Sequence, residues 1–518
     1  MNFKKLTLLF ISLLLFRDAG YAKDHEITGK QRLGNNWSNI PILIFPGITQ
    51  EEFADAFKVL EEAYVHASNE NPVYGFIYPF CGPGGGYGPC WWQLDTSLAL
   101  SGIKWVNQEF AENVLRNFIY VQQENGRIAL WGMQSDDLIH SSLPKLFQIS
   151  HEVLKGTKDE QLIRDTYSML KKYLDWWLSE RWDDKSGLIK GISEEWLPGA
   201  WEFYLPVETN VEVIAGCNIV AKLADYNNDK DSALFYGEKA EALKKMINEF
   251  LWNDEEKCFM NLAVKNYTFE GSVYSVTAFD PLKLNVADKK YHGFMLEALT
   301  DDNLFQWGSI PLTSAAKTVP QYNETPGVYV GHQWYGSIWS LRNYAVLEGL
   351  EDIGRYDLAS HLAIRTVELF NNNYAEFINP PNGSGEGVLR YSWTASQYIQ
   401  ILIEHIFGIT FDQFTNTLSI KPHLDTSLTG QTIELKQLLL PNSSKLDVEI
   451  TSGVTEVRVN YQVTESPKMN VVISLPTYNQ RTSAVNSKHK NVNVGYGQVC
   501  IVENGEKYYD EIIFNRMN

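Results

Sequence analysis

From Glu51 to about Phe407 the sequence consists of helical periods separated by loops of two kinds, and that alternation leaves few folds open. Apolar residues recur at three- and four-residue spacing in Phe53-Ala56-Phe57-Leu60, Phe110-Val114-Leu115-Phe118 and Leu162-Tyr167-Leu170-Leu174-Trp177. The same spacing runs through Val211-Ala215-Ile219-Leu223, Ala240-Leu243-Ile247-Leu251 and Leu358-Leu362-Val367-Phe370, the mark of helices with one buried stripe. Short links, Asn227–Asp229 and Gly354–Tyr356, imply antiparallel neighbours. Long loops (74–93, 187–208, 311–333 and 371–390) are rich in Gly, Pro and aromatic residues, and long loops kept in a compact domain are usually functional. The stretch has room for about twelve helices of ordinary length. Hairpins turned tightly at one end and looped widely at the other predict a mainly α fold, a closed double ring of helices or (α/α)6 barrel. A solenoid would show a repeat of fixed period, and none is visible.

Near Gly408 the pattern changes. Residues 409–518 are rich in Thr, Val, Ser and Asn, with alternating runs Leu446-Val448-Ile450, Val457-Val459-Tyr461 and Val471-Ile473-Leu475. Turn signals at 442–444 and 503–505 separate them, which predicts a C-terminal antiparallel β-sandwich. Residues 51–408 are then the catalytic unit and 23–50 a lead-in, in which Ile42–Phe45 is a strand or an extended segment. Residues 1–22 read as a secretory signal: Lys4 and Lys5, the apolar run 6–16, and Gly20-Tyr21-Ala22 before the cut. No later segment is apolar enough to span a bilayer. The expected product is secreted or periplasmic and not inserted in a membrane.

Export permits a disulfide, and Cys81 and Cys90 bracket the loop CGPGGGYGPC closely enough to form one. Cys217 lies in an apolar helical run and reads as a buried thiol. The net charge of -19 excludes nucleic acid and anionic membrane as partners, since phosphate binding rests on Lys and Arg. Fifteen Trp, 27 Tyr and 25 Phe, several of them clustered in loops, suit a glycan instead. There is no P-loop, dinucleotide fingerprint or zinc motif, so neither cofactor nor metal is expected. A monomer acting on an oligosaccharide or glycoside is the expected state.

Two loops carry carboxylates among aromatic residues. One is 374–395, YAEFINPPNGSGEGVLRYSWTA, with Glu376; the other is 191–208, with Glu195, Glu202 and Glu208. Glycosidic cleavage needs one carboxylic acid to protonate the leaving oxygen and a second carboxylate to activate water or attack carbon. A barrel rim can place two distant loops face to face.

Four stretches resemble the clan of (α/α)6-barrel glycosidases that holds trehalases, processing α-glucosidases and mannosylglycerate hydrolases (glycoside hydrolase families 63 and 37). The first is Trp91-Trp92-Gln93-Leu94-Asp95-Thr96, with the turn 123–128 after the next helix. It implies Asp95 as an acceptor for sugar hydroxyls and Trp92 as a pocket residue; a helix N-cap is the alternative role for Asp95. The second is Tyr173–Leu178 followed by Ser193-Glu194-Glu195-Trp196-Leu197-Pro198, which precedes Trp201-Glu202 and Val207-Glu208-Thr209-Asn210. It implies a general acid at Glu195 or Glu202, with Trp196, Trp201 and Glu208 around the substrate. Its Glu-Trp-Leu-Pro form is similar to the rhamnosidase branch of these barrels.

The third stretch is Gly331-His332-Gln333-Trp334-Tyr335-Gly336-Ser337-Ile338-Trp339, similar to a Trp-x-Gly-Pro-x-Trp segment with Ser337 in place of Pro. It implies pocket roles for His332, Gln333, Trp334 and Trp339. The fourth is Tyr374-Ala375-Glu376-Phe377-Ile378-Asn379-Pro380, with Gly385-Glu386-Gly387 and Ser392-Trp393-Thr394-Ala395. It is close to Tyr-Glu-Tyr-x-x-Pro…Gly-Glu-Gly…Ser-Trp-Thr-Ala, and implies Glu376 as general base with Glu386 and Trp393 beside the substrate. The resemblance spans roughly residues 90–405. It departs in the acid motif, in lacking the N-terminal sandwich of the processing glucosidases, and in having a C-terminal one. The resulting expectation is an inverting, exo-acting, α-glucosidase-like hydrolase. A non-catalytic glycan-binding protein of an uptake system and a rhamnosidase-like hydrolase are the alternatives.

Overall fold

The computed structural model describes residues 37, 39–133, 141–191, 203–308, 310–320, 322–323, 335–464, 469–476, 481–485, 498–503 and 507–517. The signal segment 1–22 lies outside them, as do Glu195, Trp196, Trp201, Glu202, His332, Gln333 and Trp334.

Two kinds of helix alternate along residues 50–406. Helix Val207–Tyr226 is buried on every side from Val207 to Cys217, including Glu208, Thr209, Asn210 and Glu212. The next helix, Lys230–Phe250, buries just Tyr236, Ala240, Leu243 and Ile247, one stripe at helical spacing. Asn227–Asp229 joins the two as expected, and the Asp229 side chain caps the second helix by accepting from Ser232 N. Ser340–Asp352 and Tyr356–Phe370 repeat the arrangement, enclosed helix first and striped helix second.

The enclosed segments pack on one another in a circuit. Gln93–Leu98 with Leu100–Ile103 lies on Leu146–Leu154, which lies on Val207–Tyr226. That helix packs on Val276–Asn285, which packs on Ser340–Asp352, and Ser340–Asp352 packs on Ser392–Gln400. Ser392–Gln400 returns to the first segment. The fourth member is not α-helical: it is 3-10 in form, contains Pro281, and breaks at Lys283 and Leu284. Proline lacks the amide that an α-helix interior needs, which is why no helical period marks this stretch. Outside the circuit lie Gln50–Glu62, Gln108–Val121, Glu160–Glu180, Lys230–Phe250, Lys289–Leu299 and Tyr356–Phe370.

The C-terminal region is sheet-rich. Six strands pair in the order Ile42–Ile44, Gln431–Leu439, Lys445–Ser452, Glu456–Thr464, Lys507–Met517, Arg481–Val485, all antiparallel. The lead-in is therefore an edge strand of this sheet. A second sheet runs Ile409–Asp412, Thr417–Ile420, Met469–Ser474, Gln498–Glu503, and Thr417–Ile420 pairs with Met469–Ser474 in parallel, unlike the antiparallel arrangement expected. Strand period two is followed closely, with Val457, Val459, Tyr461 and Val463 buried and their neighbours more exposed.

The last enclosed helix ends in a π turn, Ile401–Ile406, and Gly408 then leads into strand Ile409–Asp412. Gly408 has φ +67°, and a Cβ there would lie 1.9 Å from the Lys421 carbonyl oxygen. Gly408→Ala combines left-handed strain with backbone overlap and should cost about 2–4 kcal/mol, read as a lower denaturation midpoint in urea with unchanged slope.

Candidate active site

The hairpin carrying Glu376 is fixed on three sides by backbone bonds. Phe377–Ile378 pairs with Gly385–Glu386. Ile378 exchanges both amide bonds with Ile338, at 2.9 and 3.0 Å, just before the helix that starts at Ser340. Tyr391 N donates to Tyr374 O at 2.7 Å and Thr394 Oγ1 to Ala375 O at 2.9 Å. Arg390 reaches back in a bidentate pair to Asp55 on helix Gln50–Glu62, at 2.9 and 3.1 Å. The Gly-rich loop 82–90 rests on this hairpin, with Ser392 N donating to Pro83 O at 2.9 Å. A Cβ on Gly84 (φ +117°) would stand 2.6 Å from Arg390 O, so glycine permits the approach.

That approach delivers Tyr87, whose hydroxyl donates to Glu376 Oε1 at 2.7 Å. Val388 N donates to Oε2 at 3.1 Å. Each oxygen of Glu376 thus has a donor, in a carboxylate 6% exposed. Burial pushes its pKa above the ordinary carboxylate value, and the two hydrogen bonds pull it back.

Asp95 belongs to the same cluster. It sits in the first turn of Gln93–Leu98, past the N-cap position, which Trp92 holds without a side-chain cap bond. Its Oδ1 accepts instead from Tyr391 OH at 2.5 Å. Burial pushes its pKa up to about 7; the Tyr391 bond works against this and the nearby Glu376 charge adds to it. Tyr87 and Tyr391 lie 5.9 Å apart between ring centres, so two tyrosines bridge two carboxylates. Neither tyrosine stands out by sequence motif: Tyr87 sits in a loop conspicuous for its cysteines, and Tyr391 just precedes the Ser-Trp-Thr-Ala segment.

The other expected residues divide. Trp92 is partly exposed, with Trp131 at 4.6 Å and Tyr87 edge-on at 5.6 Å, and offers a ring to the site. Trp339 and Trp393 are buried, with Trp339 against Phe377 at 5.0 Å and Trp393 against Tyr391 at 5.1 Å, so they pack the floor. Glu386 accepts from Asn379 at 2.9 Å on the hairpin's other side. Glu208 is enclosed in an ion pair with Arg342 at 2.9 Å, and Arg342 also holds Asp280 at 3.0 Å. The Arg342 pair ties Glu208 into the helix circuit.

Cys81 and Cys90 are corrected outright. Both are buried free thiols, one turned to Leu60 O at 3.3 Å and the other to Trp91 O at 3.4 Å. The spacing allows a bridge, but packing turns each sulfur toward a different backbone carbonyl. Cys217 is a buried free thiol as expected.

Comparison with known proteins bears on the fold. The chain is 25% identical to a periplasmic trehalase of Escherichia coli over 231 residues, 44% of this chain and 39% of the trehalase. It is 22% identical to an uncharacterized protein of Borreliella burgdorferi over 350 residues, 61% of this chain and 72% of that one. Among solved structures, a GH63 mannosylglycerate hydrolase from Thermus thermophilus in complex with glucose aligns with TM-score 0.55 at 18% identity. That alignment covers 67% of this chain and 98% of the other. An α-L-rhamnosidase from Dictyoglumus thermophilum aligns with TM-score 0.61 at 11% identity, covering 92% of this chain and 50% of that one. In fold the chain stands with the (α/α)6 glycosidase clan. Residues 202–394 match the model of the mannosylglycerate hydrolase MGH1-like glycoside hydrolase domain.

The carboxyl cluster makes a stability prediction. Folded Asp95 keeps its proton to about pH 7, whereas an unfolded Asp loses it near 3.9. The folded state binds more protons in that window, so stability falls as pH rises from about 4 through 7. Asp95→Asn should flatten that decline in melting temperature against pH.

Proposed function

We propose that the chain is an exported, inverting, exo-acting glycoside hydrolase that cleaves α-linked sugars in an α-glucosidase-like reaction. Its helical part, residues 51–408, is the (α/α)6 barrel and its C-terminal part a β-sandwich. The circuit of six enclosed segments backed by six outer helices supports the barrel, and the alternately buried strands of two sheets support the sandwich. Export rests on the signal-like residues 1–22 and on the likeness to a periplasmic trehalase. No helix among the described residues is long and apolar enough to cross a membrane.

One observation carries the catalytic reading: Glu376 is an enclosed carboxylate whose two oxygens are each aimed by a fixed donor. In this reading Glu376 draws a proton from water as that water attacks the anomeric carbon. Glu195 or Glu202 protonates the leaving oxygen from the opposite face, roughly 6.5–9.5 Å away as inversion requires. Asp95 binds a sugar hydroxyl and Trp92 lies against the ring. The pull between burial and hydrogen bonds at Glu376 has a use, because a base must be ionised at working pH yet basic enough to take a proton.

Glu376→Gln should lose about a thousandfold or more in kcat with an unchanged melting temperature. Proton NMR of products from a panel of α-glucosides, α-mannosides and α-rhamnosides should show the β anomer first; an initial α anomer would sink the inverting reading. Of Glu195→Gln and Glu202→Gln, the variant at the acid should keep activity only on glycosides with good leaving groups. Tyr87→Phe removes a bond that favours ionised Glu376, so the acidic limb of kcat/KM should move up by about one pH unit. An unmoved limb would separate Tyr87 from the base.

A further inference from the structure

A second cluster of chemically competent side chains lies at the far end of the enclosed helices. Glu351 is near the end of helix Ser340–Asp352, His405 is in the π turn Ile401–Ile406, and His423 lies between strands Thr417–Ile420 and Gln431–Leu439. Trp339 and Trp393, at the other ends of the first two helices, line the floor of the glycosidase site. Twelve residues of helix at 1.5 Å each put Glu351 about 18 Å from that floor.

The three side chains converge closely. His405 Nδ1 is 2.8 Å and His423 Nδ1 2.5 Å from the same oxygen, Glu351 Oε1. One ligating atom from each lies within 4.8 Å of the others. Both imidazoles are buried, while the Glu351 side chain is 20% exposed. Neither Nε2, nor His423 Nδ1, has a hydrogen-bond partner among the described residues. Two buried rings crowd a single carboxylate oxygen, one of them outside hydrogen-bond geometry, and buried imidazole is costly to leave unpaired. Glu404 and Glu348 also act on His405 electrostatically, giving the pocket a negative bias. Tyr344 packs edge-on to His405 at 5.3 Å and Tyr356 against His423 at 5.4 Å, which fixes both rings. Lys421, two residues from His423, is engaged with the Tyr356 hydroxyl at 3.2 Å.

We propose that Glu351, His405 and His423 form a binding site for a divalent cation of the zinc class. Two imidazoles and one carboxylate are the donor set that late first-row metals prefer, whereas calcium and magnesium take oxygen sets. Metal bonds of about 2.1 Å place tetrahedral ligand atoms about 3.4 Å apart, so the contacts of 2.8 and 2.5 Å must open as the ion enters. The role is structural: the ion ties two helix ends to the loop that leads into the six-stranded sheet. That loop already docks on the last helix, since His423 N lies 3.2 Å from both His405 O and Ile406 O. Sequence motifs do not reveal the site because Glu351 and His405 are 54 residues apart.

The test uses the full chain, treated with chelator and dialysed. Zinc is added alone, with magnesium and calcium as controls, and bound metal is counted by mass spectrometry while melting temperature is followed. The expected result is about one equivalent of zinc, a melting temperature raised by zinc and not by the controls, and at least a tenfold weaker zinc affinity in His423→Gln. Absence of bound zinc, or equal zinc binding by wild type and His423→Gln, would overturn the site. Should His423→Gln not fold, cobalt added to the wild-type chain decides the matter. Intense visible bands of four-coordinate cobalt support the site, and their absence rejects it. None of these readouts depends on glycosidase activity, so the proposal stands or falls apart from the role of Glu376.

Discussion

Charge buried inside the ring of helices sets the terms for the rest of this structure. Helices enclosed on all sides have no solvent face, so their polar side chains must find partners within the ring. Lys104 joins Glu152 and Glu404 at 2.8 Å each, linking the first enclosed segment to the second and the last. Lys145 and Lys283 both hold Glu212, at 2.7 Å, and Lys283 goes on to Glu348 at 3.1 Å. Arg342 gathers Glu208 and Asp280, and Ser340 closes the remaining junction with Gln397 at 2.7 Å. Burial alone would push the Glu212 carboxyl up, but its two lysines outweigh that and bring it down to about 2. Such pairs add little net stability over well-packed apolar residues, yet removing one partner leaves a stranded charge. Their consequence is registry: each enclosed helix can occupy only the rotation that meets its neighbours' charges.

Registry matters because the site is assembled from helix beginnings. Gln93, Val207, Ser340 and Ser392 each open an enclosed helix, and none has a side-chain cap from the residue before it. Three of those preceding residues are Trp92, Trp339 and Tyr391, whose rings reach into or under the carboxyl cluster. A rotation of one helix by a single residue would carry its aromatic residue away from Glu376 and Asp95. The buried charges deeper in the ring thus position groups at the rim without touching them.

Much of this was readable in the residues themselves, and what was not shares one physical cause. The stripe Leu162-Leu170-Leu174-Trp177 and the strand pattern Val457-Val459-Tyr461 are local, because apolar periodicity directly records which face is buried. The segment Glu376-Phe377 with Ser392-Trp393-Thr394-Ala395 also folds into one neighbourhood, through Thr394 and Ala375 and through Tyr391 and Tyr374. Partners distant in sequence left no trace. Tyr87 meets Glu376 across 289 positions, Ile42–Ile44 pairs with Gln431–Leu439 near the other end of the chain, and Glu208 gave no sign that Arg342 would claim it. Cys81 and Cys90 show the converse error, since closeness in sequence permits a bridge but packing decides where each sulfur points.

The two ends of the enclosed helices now read as different solutions to one problem. At their beginnings, long loops leave Glu376 and Asp95 enclosed but short of full compensation, so burial raises both carboxyls. At their ends, Glu351 faces two imidazoles, and these outweigh burial and hold its carboxyl far below the usual range. A carboxylate kept reluctant to ionise is useful for moving protons, while one saturated with imidazole is useful for holding segments together. The two carboxylate clusters, one raised by burial and one lowered by imidazole, thus lie at opposite ends of the enclosed helices.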